Sequence, residues 1–160
     1  MSGEVMLVPV DAASRPVLEH LGQLYLHDLS NLSGDRPDAL GCFDFPRLER
    51  FGTDPDHHGY LIHHEGRVAG FCLVRPFDDG TTFLHAFFVL RGLRGGGVGA
   101  RAAAELLALH PGPWSIAYLD ENAEAARFWP RVATRAVGDA WSVSRRPSPD
   151  GAHTFTVISF

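Results

Sequence analysis

The sequence predicts a single mixed α/β domain with elements in the order β-α-α-β-β-β-α-β-α-β-β. Three observations carry that expectation. Residues 82–90 form an aromatic and β-branched run free of Gly and Pro, followed by a turn with glycine at 95, 96, 97 and 99 and then an Ala- and Leu-rich helix. Ahead of it, strand-like runs at 59–64 and 67–75 flank the turn pair Glu65-Gly66. Asp78-Asp79-Gly80 then turns the second run into the third, so three antiparallel strands meander towards the centre. Near the N-terminus, Val17, Leu18, Leu21, Leu24, Tyr25, Asp28 and Leu29 recur at helical spacing, which lays one helix on a core.

The remaining elements follow in order. Residues 4–10 alternate weakly and read as the first strand; Ser14 can cap the first helix, with Pro16 tolerated in its first turn. Residues 31–58 are punctuated by Gly34, Pro37, Gly41, Pro46, Gly52 and Pro55, leaving room for short helices near 37–42 and 46–51. This insert is either a plain connection or a lid over a substrate. The helix at 98–110 is stopped by Pro111 and Gly112, and 114–119 is a short apolar strand. A helix starts at Asn122, whose side chain can cap it, and Pro130 should kink or end it. Two strands, 137–144 and 154–160, close the chain around the turn at 147–151.

At 160 residues the chain fits one domain, which buries roughly 68–70 % of its unfolded surface. The composition, 45 % hydrophobic and 21 % charged, is that of a globular protein. A net charge of −5 argues against a nucleic-acid partner. No apolar run approaches membrane length and no signal peptide is visible, so no membrane partner is expected. Cys42 and Cys72 lack metal or redox spacing and read as reduced thiols in a cytoplasm. His57-His58 and His63-His64 are adjacent pairs pointing to opposite faces, so no metal site is expected.

The glycine-rich turn is the chemical signal. A turn of this kind opening a helix leaves backbone N–H groups unpaired, and these donors, with the helix dipole, suit phosphate oxygens. Arg94 would add a charged donor there. A plain surface turn stays open as the other reading. Two phosphate motifs overlap: Gly97 to Ala102 fits G-x-G-x-x-A with Asp120 about twenty residues on, a dinucleotide fingerprint. Against it, six residues separate strand from motif, and only about forty residues follow Asp120.

The second motif begins at the arginine. Arg94-Gly95-Gly96-Gly97-Val98-Gly99 fits R-x-x-G-x-G, with Val89 five residues before it. Downstream, Asn122, Ala125, Phe128 and Trp129 fit N-x-x-A-x-x-[LF]-[YW]. In this order and spacing, over roughly residues 60–135, the pair resembles the GNAT superfamily of N-acetyltransferases. The resemblance implies a central, mostly antiparallel sheet flanked by helices, and acetyl-CoA as co-substrate. It implies cofactor contacts from Phe88, Val89, Leu90, Arg94, Gly95, Gly96, Gly97, Val98, Gly99, Ala100, Asn122, Phe128 and Trp129. The backbone of residues 88–90 would touch the thioester and pantetheine arm.

The resemblance further implies transfer of an acetyl group to a primary amine of a small molecule or peptide, by a monomer or a homodimer. A different class stays open: a GNAT-like domain that binds acyl-CoA with little catalysis, as a sensor or interaction module. For a general base, period-two alternation puts Phe83, His85, Phe87 and Val89 on one face, and His85 is the one titratable group of the strand. It is the expected catalytic residue, titrating somewhere around 6–7. The other reading is a strand histidine bonded to a neighbouring carbonyl. Trp129 stands where many members have a proton-donating tyrosine, and indole is no useful acid; nothing favours Tyr25 or Tyr118 as its substitute. The usual K-x-G-F after the helix is missing. Asp28, Asp35, Asp38 and Asp44 make the helix–insert region acidic, able to attract a cationic amine or simply solvated.

Overall fold

The computed structural model describes residues 3–160. Among them, seven strands form one sheet in the order β1-β2-β3-β4-β5-β7-β6, flanked by three α-helices. The strands are β1 Val5–Pro9, β2 His58–His64, β3 Arg67–Pro76, β4 Thr82–Val89, β5 Trp114–Leu119, β6 Ser142–Pro147 and β7 Thr154–Ser159; the helices are α1 Arg15–Ser33, α2 Val98–Leu109 and α3 Ala123–Val137. All neighbouring strands are antiparallel except β4 and β5. The mixed α/β class and the mostly antiparallel sheet are as expected. Among the described residues the doubly wound parallel sheet of a dinucleotide fold is absent, and Asp120 is tied to β7 through the hydroxyl of Thr156.

Three local expectations are corrected. Of the two short helices expected in the insert between α1 and β2, the one near 46–51 is present as a 3-10 turn at Leu48–Arg50, and the one near 37–42 is absent. Asp38 Oδ1 accepts the N–H groups of Leu40 (2.8 Å) and Cys42 (3.0 Å), so the side chain competes with helical bonding there. Next, α3 runs through Pro130 to Val137, because Trp129, Val132 and Ala133 bury one continuous face across the proline. Residue 137 is therefore helical, and β6 begins at Ser142. Finally, Ser14 stands at the N-cap of α1 without capping it; its hydroxyl and backbone exchange bonds with Asp11.

The sheet separates two cores. On one face Leu84, Val89, Ala102, Leu106, Trp129 and Val132 join α2 and α3. On the other, Leu18, Leu21, Phe51, Phe71, Ala86 and Phe88 join α1 and the insert. Leu84 and Ala86, two apart on one strand, lie in opposite cores because β4 bulges between them. Leu73 pairs with Ala86 but Val74 pairs with Leu84, so His85 has no partner across the ladder. The predicted common face of His85, Phe87 and Val89 is thereby overturned. His85 lies on the α1 side, stacked on Phe45 and packed on Phe51, with ring centroids at 6.1 and 4.8 Å; Phe87 packs on Phe128 and Trp129. The bulge lets the one titratable residue of β4 leave the α2–α3 core, where burial would have cost it its partners.

Candidate active site

The parallel pairing of β4 with β5 lasts three residues, Thr82↔Trp114, Phe83↔Ser115 and Leu84↔Ile116. Beyond Leu84, β4 keeps its partner β3 and β5 keeps β7, so the two strands part into a wedge. Backbone groups along its inner edges have no ladder partner, and backbone donors of this kind seek a ligand or water. Phe88, Val89 and Leu90 lie on the β4 side of that opening.

At the wide end stands the glycine turn. Gly95 (φ 85°) and Gly97 (φ 87°) occupy the left-handed region that only glycine enters freely. A Cβ on Gly95 or Gly96 would meet nothing within 4 Å, so the turn's outer side is open. Gly97 is the N-cap of α2 and no side chain caps that helix, which leaves the first-turn donors around Val98, Gly99 and Ala100 free. Gly99 packs closely on α3: its Cβ would stand 3.2 Å from the Phe128 ring, which would have to shift slightly. An open, uncapped turn at the mouth of a wedge fits the pyrophosphate and extended arm of acyl-CoA.

At this opening Arg94 is committed to protein partners. Its Nε donates to the Val89 carbonyl (2.9 Å), one terminal nitrogen to Glu124 (3.2 Å) and the other to Asp28. Arg91 holds the second oxygen of Asp28. Partial burial works to raise the Asp28 pKa, but the two guanidiniums hold it below its ordinary value. Asp28 is thus committed to the turn, and Asp38 to its own loop, which removes both from the acidic patch expected to draw a cationic amine. Asn122 caps α3 as expected, its Oδ1 accepting from the Ala125 N–H at 3.1 Å.

Phe128 and Trp129 meet edge to face at 4.7 Å, and Trp129 is 7 % exposed, a core residue under the wedge. On the opposite face, Tyr25 packs on Phe45, Phe71 and Phe88, and burial pushes its phenol up to about 12. Tyr118 is also raised, by burial and then by Asp120. Neither is a ready acid.

His85 sits at the narrow end of the wedge. Arg75 Nε donates to its Nδ1 at 3.1 Å. Burial first, and then the positive charge of Arg75, depress the imidazole to about 4; the Pro46 carbonyl opposes this, while Arg47 and His57 add to it. The value of 6–7 expected from the free side chain does not apply. Arg75 was not foreseen, although an arginine at a strand end between apolar Val74 and the rings of Phe77 and Phe83 was a visible signal. Its guanidinium carbon lies 4.7 Å from the Phe83 centroid. Gln23 pins the insert to α1, exchanging bonds with the Phe43 backbone (2.9 and 2.7 Å). Elsewhere, Asp54, Asp56 and His57 bring three donor atoms within 4.8 Å, but Arg50 already holds Asp54 and Asp56 holds His57, each at 2.7 Å. Among the described residues no helix is long and apolar enough to cross a membrane.

The family model described as acetyltransferase (GNAT) family matches residues 20–133. No curated protein matches the chain in sequence. In structure the chain is similar to an acetyltransferase from Thermus thermophilus, with 17 % identity, a TM-score of 0.70, and 100 % of this chain and 99 % of that one covered. It is similar to the ribosomal-protein-S18-alanine N-acetyltransferase of Escherichia coli, with 14 % identity, TM-score 0.62 and coverages of 98 % and 93 %. A protein from Bacillus anthracis described as a streptothricin acetyltransferase, solved with acetyl coenzyme A, gives 13 % identity, TM-score 0.56 and coverages of 74 % and 69 %.

Proposed function

We propose that this chain, which belongs to the GNAT family of acetyltransferases, acetylates a primary amine of a small molecule or peptide by direct attack. Acyl transfer and the use of acetyl-CoA follow from the family. The observation that supports the rest is the β4–β5 pairing that ends at Leu84 and Ile116 beyond an uncapped glycine turn.

In this reading the N–H groups around Gly95 to Ala100 hold the pyrophosphate. The stretch from Phe88 to Leu90 receives the pantetheine arm, and the donor to the developing oxyanion is the Val89 N–H, since the Leu90 N–H is bonded to the Ala69 carbonyl. Phe128 and Trp129 shape the floor, and Asn122 fixes the start of α3. When bound, acetyl-CoA supplies the acetyl group as a thioester. His85 is the base, and its available atom is Nδ1, which accepts a proton only after Arg75 releases it. The free thiols of Cys42 and Cys72 fit a reducing cytoplasm.

A second reading, acyl-CoA binding with little catalysis, is favoured by two specific features: Trp129 in place of an acid, and an Nδ1 already occupied at rest. Thiol release from acetyl-CoA with a panel of amines, peptides and aminoglycosides separates the two. Release above the rate without acceptor is expected. Tight binding of acetyl-CoA with no release for any acceptor would leave the binding module as the function.

A further inference from the structure

The acceptor side of the wedge carries positive charge that no carboxylate answers. Arg75 is half-buried at the end of β3, propped by the rings of Phe83 and Phe77 at 4.7 and 5.9 Å. Its Nε is held by His85 and one terminal nitrogen reaches the Pro76 carbonyl at a long 3.4 Å. Among the described residues no carboxylate lies within ion-pair distance of it. Burial works against its charge, and Arg47 and Arg50 work against it further, with Asp78 as the one opposing neighbour. Arg47 is exposed and held at φ 70°, an uncommon backbone conformation for a side chain of its kind. A half-buried cation beside a second cation is costly unless an anion from outside completes the site.

The topology says which substrate that anion belongs to. The glycine turn and α2 lie on one face of the sheet, so an arm entering there and following the open edge of β4 brings its far end to Leu84 and His85. α2 and α3 cover that face, leaving the α1 side for the second substrate. On that side His85 at the apex is met by Arg75 and Phe45, and Arg47 follows Pro46, whose carbonyl faces the imidazole.

Resting on the acetyltransferase reading, we infer that the acceptor is an amine that also carries a carboxylate, a free amino acid, and that Arg75 with Arg47 receives the carboxylate. The planar guanidinium fork of Arg75 suits a carboxylate in bidentate fashion. Once it turns to that partner, Arg75 leaves Nδ1 of His85 free, beside the ammonium that must lose a proton. The free enzyme therefore keeps its base masked, and the acceptor unmasks it. This replaces the cationic amine that the acidic residues of the sequence suggested.

The test compares acids with their amides: glycine, L-phenylalanine and L-leucine against glycinamide, L-phenylalaninamide and L-leucinamide, by thiol release. The acids should exceed the amides in kcat/KM by roughly 10–100-fold, the worth of a hydrogen-bonded charge pair. Arg75→Gln should bring the ratio close to one through KM for the acids, and Arg47→Ala should reduce it partly. Equal rates in the wild type, or an unchanged ratio in Arg75→Gln, would overturn the inference and leave the acetyltransferase reading intact. A readout independent of turnover is the His85 ring resonances. Benzoate, but not benzamide, should shift them in the wild type and fail to do so in Arg75→Gln. No shift with benzoate would sink the proposal even if every acceptor proved inert, an outcome that by itself would instead remove the acetyltransferase reading.

Discussion

Arg94 Nε donates to the carbonyl of Val89 at 2.9 Å, tying the last residue of β4 to the turn that follows it. Its other nitrogens hold Asp28 of α1 and Glu124 of α3, so one guanidinium joins three elements around the mouth of the wedge. The arginine of the R-x-x-G-x-G motif thus sets the shape of the turn and leaves phosphate contact to backbone N–H groups. Arg94→Ala should weaken acetyl-CoA binding by about 1–3 kcal/mol, the cost of leaving the acceptors that anchor the turn without their donor. Asp28→Asn should weaken it in the same direction. Tighter binding by the Asn variant in calorimetry would mean that the freed guanidinium reaches phosphate, contrary to this assignment.

Gly97→Asp should abolish acetyl-CoA binding while the chain still folds. The nearest atoms to a Cβ there are those of Arg101 at 3.9 Å, and aspartate tolerates a φ of 87° better than most residues. The loss comes from a negative charge beside the pyrophosphate. Calorimetry with a parallel thermal melt checks both halves; undiminished binding by the folded variant removes the basis of the phosphate site.

Gly70→Ala should be among the most disruptive small changes in the protein. A Cβ at Gly70 would stand 1.9 Å from the backbone oxygen of Phe88, which cannot rotate away as a side chain would. We expect a loss at the upper end of the ~1–3 kcal/mol typical of overpacking. Because Phe88 lines the wedge, acetyl-CoA affinity should fall with it. A melting temperature and affinity equal to wild type would show that β3 and β4 leave room for a side chain between them.

Trp129 acts through packing. At 7 % exposure, truncation to Ala should cost about 3–5 kcal/mol of stability, with loss of acetyl-CoA affinity. Trp129→Phe should keep most activity. A Phe variant with unchanged affinities but a collapsed kcat would give the indole a chemical role.

His85 gives the protein a defined acid sensitivity. Its folded pKa, near 4, lies below the ordinary 6.5, so the unfolded chain binds more protons between those values. Stability should therefore fall as pH drops from about 6.5 towards 4, and level off below. His85→Gln should flatten the melting temperature across that window. If the wild-type curve is already flat there, the imidazole is not held neutral. For the reaction, His85→Ala should lower turnover by roughly 10²–10⁴-fold if it is the base; activity per folded molecule close to wild type would leave it as a support for Arg75.

What could be read directly from the chain was local. The runs at 59–64, 67–75 and 82–90, the glycine turn and the Asn122 cap depend on neighbours a few residues away, and their side-chain periods and φ preferences are written into adjacent residues. The two family motifs are local in the same sense, so family and cofactor were legible. The acceptor face was not. His85 was placed by a period of two, which holds only while the ladder is unbroken. The bulge that turns it over depends on pairing with Leu73 and Val74, ten or more residues back. Arg94's ties to Asp28 and Glu124 reach 66 and 30 residues along the chain, and the helix survives Pro130 because a buried face outweighs one missing donor. The wedge itself arises because β4 and β5 each bind another neighbour more fully than each other. Sequence specified the pieces and the phosphate turn; long-range pairing, which no local preference encodes, decided where the strands part and which charges meet there.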